Sequence, residues 1–153
     1  MAGDIITSSG TRIYIGATLT SAQADSLAEF QAISTWTEIG LVESIGEFGD
    51  KASIVTFAAI NDARMRKQKG TRDAGDLTLT VAHDPADTGQ IAIEAAEATS
   101  TGYPFKVVLP DSGGTIKFFR AFVASQPLNV GGNDNVVRKT YQLAIDSAIY
   151  TET

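Results

Sequence analysis

The chain has 153 residues, 12 of them basic and 18 acidic, a formal charge of −6, and no cysteine. That length suits one domain, able to bury roughly 70% of its unfolded surface without a covalent staple, and the missing cysteine excludes disulfides, thiolate metal sites and cysteine nucleophiles. The acidic balance argues against a dedicated nucleic-acid binder, whose affinity for phosphates comes from clustered Lys and Arg. No stretch approaches the roughly 18 apolar residues of a membrane span, and Met1–Ile5 lacks a basic leader, which predicts a soluble chain in the cytoplasm at synthesis.

In chain order, Met1–Gly10 reads as an N-terminal arm, and the β-branched and aromatic run Thr11–Ala17 as a first strand. Ser21–Ala32 suits one or two helical turns with Asp25 or Ser26 at the N-cap, or a compact loop. Trp36–Ile45 reads as one strand with Ile39, Leu41 and Ile45 on one face and Trp36, Glu38 and Val42 on the other. Gly46 and Gly49 close it, and Ile54–Ile60 forms another extended piece. The basic run Arg64–Arg72 follows, with five of the twelve basic residues and no acidic one.

Past Gly70 and Gly75 comes the clearest strand, Asp76–Ala82, with Leu77, Leu79 and Val81 facing one way and Asp76, Thr78 and Thr80 the other. Residues 87–98 form the one convincing helix, with Asp87 or Thr88 as cap, Gln90 placed as in a capping box, and an apolar stripe of Ile91, Ala95 and Ala98. Three further strands are predicted over Phe105–Leu109, Thr115–Ala124 and Val136–Ile149, joined by turns at Asp111–Gly114 and Gly131–Asn135. In the last of these Val137, Tyr141, Leu143 and Ile145 alternate with polar residues. The expected fold is mainly β: one domain over residues 1–153, an antiparallel sandwich or barrel of about six to eight strands with one flanking helix and a long inter-strand loop over 46–75.

The chain offers little for catalysis, and no enzyme, catalytic residue, metal or cofactor is expected. His83, the only histidine, sits where a strand enters a turn, an ordinary place for a surface or partly packed side chain. With no cysteine, a metal would depend on scattered carboxylates, and Asp84 with Asp87 matches no calcium loop. Val42-Glu43-Ser44-Ile45-Gly46 has Val42 where a nucleophile elbow needs glycine, and Gly46–Ser53 fails as a phosphate loop because Asp50 separates Gly49 from Lys51. Glu43 with Glu47 as a glycosidase pair lacks a sugar-binding aromatic cleft. The basic run is open to three readings: a solvated β-arm, a nucleic-acid contact weakened by the absence of stacking aromatics, or a docking element for an acidic face of another copy.

The succession Thr37-Glu38-Ile39-Gly40, Ser44–Asp50, Lys69–Gly75, Tyr103–Asp111 and Asn133–Val137 resembles the major tail tube proteins of long, non-contractile-tailed bacteriophages, over about Ile13 to Ile149. The resemblance implies a virion structural protein whose copies form hexameric rings, with neighbouring sheets joined into a continuous inner β-barrel, stacked into a tube that conducts the genome. It places the partner-gripping loop at about Gly46–Gly75, with Glu47, Phe48, Asp50, Lys51, Arg64, Arg66, Lys67, Lys69, Arg72 and Asp73 as interface residues. It also implies inter-ring contacts by Met1–Gly10 and by a C-terminal tail over 149–153. A tape measure protein, a tail terminator and tail tip proteins are the implied partners, with DNA as transient cargo and no membrane. A wall that lets DNA slide avoids basic residues, so Glu43, Asp76, Thr78 and Thr80 are the candidates for the lumen. The competing reading, from the all-β pattern alone, is a monomeric adhesion or carbohydrate-binding sandwich.

Overall fold

A computed structural model describes residues 5–16 and 26–153. Met1–Asp4 of the expected N-terminal arm, Ala17 of the first strand and Ser21–Asp25 of the expected helical turns lie outside them. The elements are β1 (Arg12–Gly16), α1 (Leu27–Gln31), β2 (Trp36–Glu38), β3 (Val42–Ile45), β4 (Lys51–Phe57), β5 (Arg66–Asp73), β6 (Asp76–Ala82), α2 (Thr88–Glu97), β7 (Tyr103–Val108), β8 (Ile116–Ser125), β9 (Leu128–Asn129), β10 (Arg138–Ile145) and β11 (Tyr150–Glu152).

Nine strands form one antiparallel sheet in the order β2-β1-β7-β8-β10-β6-β3, with β11 added to β8 and β9 to β10; β4 and β5 pair only with each other. The expectation of six to eight strands is exceeded because three pieces were not visible as strands: short β9 and β11, and the basic run itself, which forms β5. The C-terminal tail expected over 149–153 is mostly β11, paired within the same copy through Tyr150 to Phe118 and Glu152 to Ile116.

Trp36–Ile45 is not one strand. β2 pairs with β1 and β3 pairs with β6, at opposite ends of the sheet order. The chain passes from one edge to the other within three residues: Ile39 N–H donates to Ile13 O, and Leu41 O accepts from Ala82 N–H. Two residues span at most about 7 Å, so the two edges meet at this corner and the sheet is rolled towards a barrel. Leu41 makes the corner with φ of 55°, a left-handed conformation that costs a non-glycine residue about 1–2 kcal/mol. The alternation that suggested a single strand fails here, and Leu41 is exposed rather than buried with Ile39.

The barrel interior is filled by the inward residues of alternating strands, among them Ile13, Ile15, Leu77, Leu79, Val81, Phe105, Phe119, Tyr141 and Leu143. Phe105 stacks on Phe119 at 5.7 Å. A second cluster covers the outer side of β8, where α1 and β11 bring Phe30 and Tyr150 against Phe118 and Trp36. Ser26 caps α1, its Oγ accepting from Glu29 N–H, so of the two expected caps the serine serves. Lys106 crosses the same outer face between the rings of Tyr14 and Trp36, 4.6 and 5.0 Å from their centroids, and burial lowers its pKa.

Helix α2 lies across one end of the barrel. Asp87 is its cap, accepting from Gln90 N–H at 3.0 Å and from Gly40 N–H at 3.0 Å. The Gln90 side chain does not complete a capping box. It is buried, accepts from Asp84 N–H, and donates to the carbonyls of Gly40 and Ala82. Three segments that would otherwise leave backbone groups unpaired at the barrel corner are thereby stitched together. The buried side of α2 is Gly89, Gln90, Ile93 and Ala96, not the expected Ile91, Ala95 and Ala98, all of which are exposed. Gly89 is required by proximity, since a Cβ there would collide with the Glu38 carbonyl and Ile39 Cα.

Candidate assembly surfaces

The barrel presents two surfaces on which the candidate residues fall. The first is the arm formed by β4 and β5. Between β3 and β6 the chain leaves the barrel as a two-stranded ribbon, with Phe57 opposite Arg66, Val55 opposite Gln68 and Ile54 opposite Lys69. Seven residues at about 3.3 Å each give it a reach of roughly 23 Å. The pairing explains how a run as polar as Arg66–Asp73 becomes a strand: it has no buried face, and its order comes from hydrogen bonds to β4. Apolar Ile54, Val55 and Phe57 are exposed on β4, and Ile60 and Met65 at the turn. Each face of the ribbon therefore carries apolar side chains from one strand and cations from the other.

At the arm's end Asp62 accepts from Arg66 Nε at 2.9 Å and from Arg64 N–H. At its root Arg72 lies 3.8 Å from Asp50 and Asp73 accepts from Gly75 N–H. Among the described residues Lys51, Arg64, Lys67 and Lys69 make no ion pair. Glu47 is exposed at the root, where it lines an open cleft of about 460 Å³ with Phe48, Asp50, Lys51, Asp76 and Thr78. Phe48 turns the other way, packing against the barrel core with its ring 5.5 Å from Phe119.

The second surface is the outer face of β3, β6 and β10. Asp76, Thr78 and Thr80 project there, joined by Gln142 opposite Thr78 and Thr140 opposite Thr80. Thr78 Oγ1 donates to Gln142 Oε1 at 3.1 Å, and Glu43 on β3 binds Arg138. All four residues expected to line a lumen thus share one hydroxyl-rich face. Thr140, Gln142 and Arg138 belong to it and were missed, although their alternation along the last strand carried the signal. The face has two open margins. β3 pairs with β6 on one side only, and β7 stops pairing with β8 at Ala121, so Phe122–Ser125 has no strand on that side among the described residues.

The remaining polar groups stabilise the body. His83 Nδ1 is buried with no hydrogen-bond partner among the described residues, while the His83 backbone N–H donates to Val137 O. Glu94 binds Lys139 at 2.6 Å and accepts from Tyr141 Oη; burial first, and Glu94 second, raise the Tyr141 pKa far above that of a free phenol. Asp111 accepts from the N–H and hydroxyl of Thr115, which holds its pKa below the usual carboxylate range. No His, Asp and Glu cluster among the described residues could hold a metal ion, and no helix among them is long and apolar enough to cross a membrane.

The family model described as phage tail tube protein, TTP, matches residues 7–150. No curated protein matches the chain in sequence. A chain in the extended sheath/tube terminator of the extracellular contractile injection system PVC superimposes with a TM-score of 0.71 at 11% identity, over 100% of both chains. The SPP1 tail tube gives 0.69 at 15% identity, over 97% of this chain and 79% of that one. The tail of the empty GTA particle gives 0.61 at 16% identity, over 77% and 87%. At these identities the likeness is one of fold.

Proposed function

Since this chain belongs to the phage tail tube protein family and is a structural subunit of a tail tube, we propose that its copies close into hexameric rings whose stacked lumen conducts the genome. The observation that carries the reading is the outer face of β3, β6 and β10. It is a sheet surface of threonine and glutamine with Asp76, and its one basic side chain among the described residues, Arg138, is already paired with Glu43. Polyanionic DNA meets few cations there and so releases few counterions, which favours sliding over binding.

The open margins supply the way to close a ring. In the order β3-β6-β10-β8 each strand runs antiparallel to the next, so the free edge of β3 on one copy meets the free edge of β8 on its neighbour in antiparallel sense. Joining the two removes both exposed edges. The arm grips an adjacent copy through Arg64, Lys67 and Lys69, with Lys51 at its root. The tail terminator, tape measure protein and tail tip proteins are the other contacts of such a tube, with assembly following synthesis in the host cytoplasm.

Negative-stain microscopy of the concentrated protein tests the reading. Rings or tubes are expected, and a particle that stays strictly monomeric even with tail partners present refutes it. The family and the arm's unpaired cations leave a monomeric carbohydrate-binding module without support.

A further inference from the structure

A cavity of about 440 Å³ runs beside β3. Every residue of β3 lines it, Thr11, Val107 and Leu109 face them across it, and Ile6, Thr7 and Ser8 form a third side. No residue of β6 lines it, so the cavity follows the flank of β3 that has no strand partner.

The register of the sheet fixes what the segment ahead of β1 would do if it stayed extended. β1 pairs with β2 as Ile15 to Thr37 and Tyr14 to Glu38, and Ile39 N–H reaches Ile13 O one step further on. The same steps continued would set Gly10 opposite Val42, Ser8 opposite Ser44 and Ile6 opposite Gly46, a strand covering the whole of β3. A turn prevents it. Thr11 N–H donates to Ser8 O at 3.1 Å, and Gly10 takes φ of 92°, the sign that a type II turn requires of its third residue and that glycine adopts without steric cost. Turned out of register, residues 5–10 make no backbone hydrogen bond to β3 among the described residues. They still lie over its edge: Ile6 is 51% exposed where its neighbour Ile5 is 95% exposed, and the covered half of Ile6 lines the cavity.

We propose, on the reading of the chain as a tube subunit, that Ile6–Ser8 is a strap guarding the edge of β3 in the free copy, displaced when the β8 edge of a neighbour joins there. A joining strand must lie about 4.8 Å from β3, in the space that the cavity and the strap occupy, so strap and neighbour exclude each other. An uncovered edge offers its N–H and C=O groups to any strand that reaches it, and a covering loop is one device that prevents such pairing. This cover is built to be temporary. It rests on the apolar contact of Ile6 and on one turn, so it leaves without breaking a hydrogen bond of the sheet, and Gly10 is its hinge.

The chain has no cysteine, so a tether can be introduced cleanly. Ser8→Cys with Ser44→Cys, both at exposed positions, oxidised to an intramolecular disulfide, locks the strap over the edge. The expected tube yield, read by sedimentation, is at most about a tenth of that of the same chain reduced, with each single variant indifferent to oxidant. Ile6→Ser loosens the strap, and light scattering is expected to show a lag before assembly about threefold shorter than the parent's, or less. Given a parent that forms tubes, any of three results overturns the strap and leaves the tube reading standing: an oxidised chain that assembles as well as the reduced one, thiols that form no intramolecular disulfide, or an Ile6→Ser lag no shorter than the parent's. If the parent forms no tubes, both fall.

Discussion

Gln90 ties three segments together at the barrel corner, and Gln90→Leu measures what that tie contributes. The change keeps volume nearly constant but strips partners from three backbone groups: Asp84 N–H at 3.0 Å, Gly40 O at 3.1 Å and Ala82 O at 3.0 Å. All three groups are partly buried, so each lost bond costs about 1 kcal/mol, toward the lower end of the range for an unsatisfied group. The buried leucine returns about 1 kcal/mol of apolar transfer, leaving a net loss of about 2 kcal/mol. For a domain of this size that lowers Tm by about 4–8 °C. Thermal unfolding followed by circular dichroism on dilute, unassembled protein is the assay. Gln90→Glu sharpens the test, because a carboxylate can accept from Asp84 N–H but faces two carbonyls with charge. Its folded pKa must rise, so its penalty is absent below the unfolded value near 4.3 and grows as pH climbs through the folded value. A Gln90→Leu protein melting within about 1 °C of the parent, or a Gln90→Glu protein indifferent to pH between about 4 and 7, refutes the stitching role.

Reversing Lys67 and Lys69 to Glu is expected to leave a folded monomer, since neither makes an ion pair among the described residues, and to abolish tube formation; unchanged yield by sedimentation sinks electrostatic docking. If the arm instead binds nucleic acid, Arg64→Glu with Lys67→Glu removes a salt-sensitive DNA affinity measurable by gel shift. Gly89→Ala forces a methyl into the Glu38 carbonyl and lowers Tm by more than the 4–8 °C predicted for Gln90→Leu, whereas Ala95→Ser on the exposed side leaves it nearly unchanged. Asp111 has its pKa depressed by Thr115, so its stabilising effect is full above the ordinary aspartate pKa and fades as pH falls through the lower folded value. The melting temperatures of Asp111→Asn and the parent should therefore differ at neutral pH and converge in acid.

The sequence made half-buried strands legible and concealed whatever depended on distant partners. β6 and β10 alternate cleanly because one face meets the core and the other does not, and Asp87 was readable as a cap because capping is local. Trp36–Ile45 misled because alternation continues through the break at Leu41, while the cause of the break is pairing of β2 and β3 with different strands. In α2, alanines occur on every side, so helical period alone could not choose the face. Contact with Glu38 and Gly40 selects Gly89 and Gln90, so a polar side chain is buried beside Ile93 and Ala96. The arm read as a loop because β5 lacks any apolar alternation; its pairing with β4 is visible only in three dimensions. The lumen candidates were taken from β6 and from Glu43 on β3, and the residues of β10 that share their face were left out, since strand register is not written in either strand alone.

Charge decides between two ways in which arms could associate. A ribbon with Ile54, Val55 and Phe57 exposed and two free edges invites pairing with an identical ribbon. An isologous pair of that kind would bury β4 against β4, but it would also bring two sets of six basic residues together, with Asp50, Asp62 and Asp73 on each copy to offset them. At separations near 4 Å and an effective dielectric of about 20, each unscreened like-charge contact costs about 4 kcal/mol, more than burying a single apolar side chain returns, about 1.5–3 kcal/mol. Raising the salt concentration screens that repulsion and with it any attraction of the arm to an acidic face of another copy. Polymer order should therefore deteriorate at high salt even where total association persists, with regular tubes giving way to irregular aggregates held by β4. On this argument the cations keep the free subunit soluble and, by the same repulsion, turn the arm away from an identical ribbon and towards the acidic body of another copy.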